Sequence, residues 1–459
     1  MMKTLLNKNV SVIGAGITGF YTSIFLIKNG ANVHISDIKP AEMLNKEYLL
    51  KLEKLGCSIH AGGYDEDAIM NSDLIVISPG VPPDLDILNK ARNKGIPVIG
   101  EIELAYRFCK YPIIAITGTN GKSTVTSMLA DVLKKAGIKV FVGGNIGTPF
   151  ISCLIEKKMW DFVLLEISSF QLDTTYTFSP FISIILNITA DHLDRYESFE
   201  DYIKSKFRIF KNQTPSDYLI LNDDDKILSE LNPAFVKTLR FGKEKKDGRV
   251  AFLENDKIKV CFDGIEWSYS IKEIPLIGEH NFLNVMAVIV ASMILGIEKE
   301  VIQKAIKGFK PLPHRLEPVL EKDGVLFIDD SKATNIDSVI KAVNSISGPV
   351  ILIAGGKDKG LDYSLLAKGI RERLKHAILI GESAPVMYKV FSKFGISSEV
   401  AGDMKEAVLK ASLKAKKGDT VLLSPACSSF DMFKDYSHRG MVFREAVRSI
   451  ISEKDTTTI

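Results

Sequence analysis

Residues 116–124 read Ile-Thr-Gly-Thr-Asn-Gly-Lys-Ser-Thr, a glycine-rich turn set between an apolar run and a helical one. Few folds accommodate such a segment: a buried parallel strand must end, turn on its glycines and enter a helix at once. Ile113 to Ile116 has the uninterrupted apolar character of that strand, and Val125 to Leu133 the pattern of the helix. Gly118 and Gly121, with Thr119 and Asn120 between them, let backbone N–H groups converge on phosphate oxygens where the helix dipole favours negative charge. Lys122 supplies a mobile cation for terminal phosphates, and Ser123 or Thr124 a hydroxyl for Mg²⁺. Only Thr119 and Asn120 separate the first glycine from Gly-Lys, so the loop is tighter than the general phosphate loop. Nucleotide binding is the expected function of this turn.

The rest of the chain repeats the same alternation. At 459 residues it is long enough for several cores. A first βα-rich segment opens at Val10, carries strand-like runs at Val33–Ile35 and Leu74–Ile77, and ends after a helical stretch at Glu101–Phe108. The second opens on the phosphate loop and continues through Phe162–Ile167 and Ile182–Ile188. Its later part, 240–275, is rich in Val, Ile and Tyr with Asp-Gly turns at 247–248 and 263–264, which predicts small antiparallel strands. A buried helix over about 281–295 follows, then the Pro-rich break Lys310–Pro313. The third segment has strand candidates at Val325–Ile328, Val350–Ile353, Ala377–Ile380 and Thr420–Leu423. The pattern predicts an α/β protein of three domains, 1–110, 111–312 and 313–459, each on a mainly parallel sheet. The charge balance, 59 Lys+Arg against 56 Asp+Glu, argues against nucleic acid and anionic membranes as partners. Five scattered cysteines, an N-terminus that runs directly into a strand and no apolar run long enough to span a bilayer predict a cytoplasmic location.

Other motifs fall at strand ends, where α/β sites lie. Gly14-x-Gly16-x-x-Gly19, with Asp37 eighteen residues beyond, matches a dinucleotide fingerprint and predicts a diphosphate-containing ligand. Ser78-Pro79-Gly80 could form the opposite wall of that site. Glu166 ends an apolar run and is suited to Mg²⁺ beside the phosphate loop. His192, among the carboxylates of Asp191 and Asp194, suits a second metal ion, a proton relay or a structural role. Lys206 lies on the apolar stripe of the helical stretch Phe199–Phe210; spacing alone favours a lysine that snorkels past the stripe to water over a carbamylated metal ligand. Asp329 to Asn335, Arg315, Lys359 and the Ser424–Phe430 turn together suggest a carboxylate-binding pocket. Cys427 has no histidine close in sequence and is read as packing rather than as a nucleophile.

Taken together, these motifs resemble the Mur ligases, the ATP-dependent amide-forming enzymes of peptidoglycan precursor synthesis. Thr117–Thr124 looks like their ATP loop, and Gly144-Asn145-Ile146-Gly147, Glu166–Gln171 and Asp191-His192 follow in the family's order. Leu312–Leu316, Asp330–Asn335 and Ser424–Phe430 look like the D-glutamate-adding members. The resemblance implies a Rossmann-like first domain, a central P-loop ATPase domain and a Rossmann-like third domain. It implies that Thr18, Asp37, Ser78, Pro79 and Gly80 hold the UDP of UDP-N-acetylmuramoyl-L-alanine, with Asn145 and His192 facing its muramoyl-alanine end. Asn281 and Asn284 would sit near the adenine of ATP, with Arg315 and Asp330 also on the nucleotide. Lys332, Thr334, Lys359, Ser429, Phe430 and Tyr436 would surround D-glutamate. Two Mg²⁺ ions are implied, on Ser123, Glu166, His192 and Lys206, the last as a carbamate. A monomer is expected. A nicotinamide-dependent oxidoreductase would explain Gly14 to Gly19 and Asp37 but leaves Lys122 and the metal cluster without a use, and a catalytically dead nucleotide sensor does not need Lys122, Glu166, His192 and Lys206 intact.

Overall fold

A computed structural model describes residues 4–191, 195–358 and 360–456, with side chains through Ser449. The described residues form two compact units. One comprises Met1–Ile188, Ser198–Tyr269 and Val285–Ile306; the other Thr189–Glu197, Ser270–Asn284 and Lys307–Ile459.

The first unit holds two sheets. Strands β1 (Asn9–Ile13), β2 (Asn32–Asp37), β3 (Ser58–Ala61), β4 (Leu74–Ile77) and β5 (Val98–Gly100) form a parallel sheet in the order β3-β2-β1-β4-β5. The second sheet has nine strands: β6 (Ile113–Thr117), β7 (Val140–Gly144), β8 (Phe162–Glu166), β9 (Ile182–Ile185), β10 (Tyr218–Asn222), β11 (Lys237–Phe241), β12 (Arg249–Glu254), β13 (Lys257–Phe262) and β14 (Ile265–Ser270). Their order is β14-β13-β12-β11-β10-β9-β6-β8-β7. β6 lies between β8 and β9, parallel to both, and every residue of its Ile-Ile-Ala-Ile-Thr run is buried. Helices cover both faces of such a strand, which is why its sequence shows no alternation. The antiparallel element predicted beyond residue 240 is the β12–β13 pair, turned on Asn255 and Asp256 at φ 49° and 56°.

The second unit holds one sheet of six strands: β15 (Glu317–Lys322), β16 (Val325–Asp329), β17 (Val350–Gly355), β18 (Leu374–Ile380), β19 (Ser398–Val400) and β20 (Thr420–Leu423). The order is β15-β16-β20-β17-β18-β19, antiparallel only at β15–β16. The α/β class with three mainly parallel sheets is thus as the sequence predicts. Among the described residues, no helix is long and apolar enough to cross a membrane.

Within the first unit, the helix Glu101–Phe108 joins the two sheets through two acids with opposite electrostatics. Burial pushes the Glu103 carboxyl up, but hydrogen bonds from the Thr177 hydroxyl, the Tyr176 and Thr177 N–H groups and the Arg107 guanidinium outweigh it and hold the group below its usual range. Among the described residues, Glu101 receives only the Ile151 N–H, on Oε1, and its buried Oε2 has no hydrogen-bond partner; burial pushes the carboxyl up to about 7. A carboxyl raised in the folded state favours folding while it is protonated and disfavours it once ionised. Stability from Glu101 therefore falls as pH rises from its unfolded value through about 7. Glu101→Gln keeps the acceptor for Ile151 and removes the charge. It should raise the melting temperature at pH 8, by a stability gain on the order of 2 kcal/mol, and leave it nearly unchanged at pH 5. Equal melting shifts at both pH values would contradict this account.

Candidate active site

The turn after β6 is held open by residues far away in sequence. Gly118 (φ 146°) passes so close to the β9 exit that a Cβ would lie 3.1 Å from Leu186 Cβ and 3.3 Å from Asn187 N. Asn187 clamps the loop like an extra strand: its carbonyl accepts from Thr119 N (2.9 Å), its side-chain oxygen from Asn120 N (2.8 Å), and its amide donates to Asn120 O (3.0 Å). Gly121 (φ 88°) precedes the helix Lys122–Lys135, whose first turn carries Ser123 and Thr124, both buried. Asn187 was not singled out in the sequence; as a polar residue inside the apolar run Ile182–Ile188, just past the end of β9 at Ile185, it carried a signal that could have marked it.

Two ammonium groups meet on this loop. Lys122 Nζ donates to Gly118 O (2.7 Å) and Thr119 O (2.8 Å), and Lys206 Nζ donates to the same Gly118 O (3.0 Å). The two charges are therefore within about 6 Å of one another. Lys206 is 1% exposed, on the helix Phe199–Phe207, with Nζ 4.6 Å from the Tyr202 ring centroid. The snorkelling that spacing favoured does not occur: Tyr202, itself anchored by its hydroxyl to Thr119 Oγ1 (3.1 Å), and the phosphate loop enclose the ammonium. Like charges this close in a buried place repel strongly, and an anion between them, or conversion of one to an anion, would relieve the repulsion.

The acid for a cation is also present. Glu166 ends β8, is 2% exposed, and accepts from Asn145 Nδ2 on Oε1 (2.7 Å). Its Oε2 is buried with no hydrogen-bond partner among the described residues, as an oxygen reserved for a metal ion would be. Asn145, expected to face the sugar substrate, donates its amide to this carboxylate, and Gly144 makes the approach possible, since a Cβ there would lie 2.3 Å from Glu166 O. His192 lies outside the described residues, while its neighbour Asp191 accepts from Asn335 Nδ2 (3.2 Å) in the second unit.

In the first sheet, Asp37 at the end of β2 closes the glycine turn rather than projecting free: its oxygens accept from Ala15 N (2.7 Å) and Lys39 N (2.9 Å). Ser78 Oγ donates to Gly14 O (3.1 Å), which brings the Ser78–Gly80 turn to the same sheet end. Pro79 is half-buried, Gly80 exposed, and Thr18 half-buried at the start of the helix Ile17–Lys28. Asp37, Ser78 and the glycine turn thus lie together at one sheet end.

In the second unit, Asn281 and Asn284 are buried and joined, Asn284 Nδ2 donating to Asn281 Oδ1 (2.9 Å). Asp330, just past β16, accepts from Ser424 Oγ (2.8 Å) and Leu316 N (3.2 Å). Burial pushes its carboxyl up to about 7 against the opposing pull of those bonds and of Arg315. Arg315 is presented between His314 and Leu316, both at positive φ (61° and 44°). Such strain persists only where surroundings impose it: His314 is fixed by Asp329 on Nδ1 (2.7 Å) and Ser437 on Nε2 (3.1 Å). His314, Glu317 and Asp329 are close enough for a metal, but Arg444 pairs with both acids, so the group is an ion-pair network. His314 was not among the predicted residues, although it stands in the Pro-His-Arg run. Lys332 Nζ stacks 3.8 Å from the centroid of the Tyr436 ring, Thr334 is half-buried and Ser429 is buried nearby on the β20 turn. Phe430 points outward, 73% exposed, and Lys359 lies outside the described residues. Cys427 is fully buried, sharing its thiol with Tyr363 (3.3 Å) and Ser383 (3.4 Å), as a packing role requires.

If Glu166 Oε2 waits for a cation, Mg²⁺ should raise the melting temperature of the wild-type chain and Glu166→Gln should lose most of that shift. An undiminished shift in the variant would take Glu166 out of the metal site.

Residues 8–100 match the MurD-like N-terminal domain of Mur ligases, 116–292 the Mur ligase middle domain and 314–427 the Mur ligase glutamate ligase domain. The chain is 42% identical over 451 residues to the UDP-N-acetylmuramoylalanine--D-glutamate ligase of Thermoanaerobacter pseudethanolicus, covering 97% of this chain and 99% of that one. Its fold is shared with a pseudomurein peptide ligase type C from Methanothermus fervidus (TM-score 0.61, 23% identity, 97% and 100% covered). It is shared also with a MurF ligase from Thermotoga maritima in complex with ADP (TM-score 0.60, 19% identity, 99% and 100% covered). With three consecutive domains matched and nearly the full length aligned, the chain belongs to the Mur ligase family.

Proposed function

We propose that the chain joins D-glutamate to UDP-N-acetylmuramoyl-L-alanine at the expense of ATP, releasing ADP and phosphate, in cytoplasmic peptidoglycan precursor synthesis. The observation that carries this reading is the convergence of Lys122 and Lys206 on Gly118 O, with a Glu166 oxygen at the neighbouring strand end that has no partner among the described residues. Identity to a ligase of that name along the whole chain supports the choice of substrates. The functional domains are 1–110, 111–312 and 313–459.

In the first step an oxygen of the alanine carboxylate attacks the γ-phosphorus of ATP and ADP leaves, giving an acyl-phosphate. In the second the amine of D-glutamate attacks the acyl carbon, phosphate departs, the nitrogen gives up a proton and an amide remains. Anions meet in the first step, so neutralising charge is the main task of the site. The loop N–H groups from Gly118 to Thr124 cradle the phosphates and Lys122 moves from its own carbonyls to the terminal phosphate. Two Mg²⁺ ions, held by Ser123 and Glu166 and by His192 and carbamylated Lys206, would polarise the phosphoryl oxygens. Carbamylation removes one of the two crowded cations, which is its physical motive here. Thr18, Asp37 and Ser78–Gly80 orient the UDP-sugar, and Asn145 holds Glu166 in place. Asn281, Asn284, Arg315 and Asp330 receive the nucleotide, and Lys332, Thr334, Lys359, Ser429, Phe430 and Tyr436 receive D-glutamate, with the cation–ring pair Lys332–Tyr436 as the supporting contact.

Phosphate release from Mg-ATP should require both UDP-N-acetylmuramoyl-L-alanine and D-glutamate, and mass spectrometry should show a product heavier by one glutamyl residue. Release with a different amino acid would keep the mechanism and overturn the acceptor; release independent of the UDP-sugar would overturn the reading. Lys122→Ala should lower kcat/KM by about 100-fold or more. Protein supplied with carbon-13 bicarbonate should show a carbamate resonance that Lys206→Arg lacks, and its absence from wild type would return Lys206 to a plain cation.

A further inference from the structure

Among the described residues, the largest side chain buried without exposure is a cation that the reaction above does not use. Arg439, on the helix Tyr436–Thr456, is 0% exposed. Its Nε donates to Ser331 Oγ (3.0 Å), Nη2 to Ser331 O (2.9 Å), and Nη1 to Cys427 O (3.1 Å) and Ser428 O (3.3 Å). No described carboxylate pairs with it; the nearby Asp329 is committed to His314 and Arg444. A guanidinium out of water costs several kcal/mol unless its donors are satisfied, and here backbone carbonyls and a hydroxyl satisfy them.

Those acceptors belong to the turns that follow the adjacent strands β16 and β20, and the turn after β17 closes the group. Gly356 (φ 143°) runs so near that a Cβ would lie 3.1 Å from Arg439 Nη1 and 2.3 Å from Ser428 O. The next residue, Lys357, donates its N–H to that same Ser428 O (3.0 Å). Ser331 also donates its hydroxyl to Tyr436 O (2.7 Å), tying the start of the helix to the β16 turn. The helix comes this close because residue 440 is glycine: a Cβ there would lie 2.2 Å from His314 Nδ1. Ser331 precedes Lys332, Ser428 precedes Ser429, and Gly356 precedes the lysines of 357–359. The fork holds the β16 and β20 turns directly and the β17 turn through Ser428 O, a planar arrangement that an ammonium does not reproduce.

We propose that Arg439 is a positioning residue for the incoming amino acid: it fixes the turns after β16 and β20, and through Ser428 O the turn after β17, in the arrangement that receives the acceptor, and contributes a buried positive charge behind them. This rests on the third-domain assignment above. The full-length chain with Arg439→Lys, and separately Ser331→Ala, is tested for KM of each substrate. The expected result is a rise of about tenfold or more in KM for D-glutamate in Arg439→Lys, with KM for ATP and for the UDP-sugar within about twofold and kcat largely retained. Ser331→Ala should shift the same constant in the same direction by less. Parallel changes in all three constants, or a drop in melting temperature with no selective change, would overturn the proposal. Hydrogen exchange separates its failure from failure of the ligase reading, because it needs no turnover. Amides of 331–335, 356–358 and 427–430 should exchange faster in Arg439→Lys while those of 118–124 do not. Unchanged exchange in these turns would reject Arg439 as their anchor even in an active ligase, and faster exchange in a chain inactive with D-glutamate would keep the anchor and reject the acceptor. If Arg439→Lys fails to fold, Ser331→Ala alone decides by the same two readouts.

Discussion

Parallel strands buried on both faces leave a chain little room for chemistry along their length. Their side chains must be apolar, so polar groups collect where the strands end. In this protein the end of β6 carries the phosphate loop, the end of β8 carries Glu166, and the segment after β9 carries Asn187. Because β8, β6 and β9 are neighbours in the sheet, three segments distant in sequence meet by register alone. The same logic puts Asp37 and Ser78 beside the Gly14 turn, and Ser331, Gly356 and Ser428 around one arginine.

That geometry explains what could be read from the sequence. Strand-ending turns with unusual composition were visible as such: Gly118 to Thr124, Gly14 to Gly19, Ser78–Gly80 and Ser424–Phe430. So were the long apolar strands and the helix Glu101–Phe108. Short or edge strands such as β3, β5 and β19 were not, because three or four residues at the margin of a sheet carry too little apolar pattern to stand out. The helical face of Lys206 was legible, but its enclosure was not, since Tyr202 and the phosphate loop close over it only in three dimensions. Asn187 and Arg439 were missed for a related reason. Each acts mainly through backbone atoms of other segments, and a hydrogen bond to a peptide group leaves no requirement on the partner's side chain for a motif to record.

Charge is distributed with the same economy. Glu103 and Glu101 stand two residues apart on one helix, yet one is fully hydrogen-bonded and the other retains a buried bare oxygen. Glu166 repeats that contrast within a single carboxylate, one oxygen held by Asn145 and the other open. Glu103 is saturated by N–H and O–H donors; Glu101 and Glu166 are not. Glu101 shares the open oxygen but not the place, so what sets Glu166 apart is an open carboxylate oxygen at a strand end next to the phosphate loop.

Lys122 is bound by the carbonyls of its own loop. Those oxygens act as an internal competitor for any phosphate. A nucleotide must recruit an ammonium that is already occupied, so part of its binding energy goes into breaking two short hydrogen bonds. A small molecule that fills the cradle but leaves Lys122 on Gly118 and Thr119 would avoid that loss altogether. Mimicry of ADP and affinity for this loop are, for that reason, separable aims for an inhibitor.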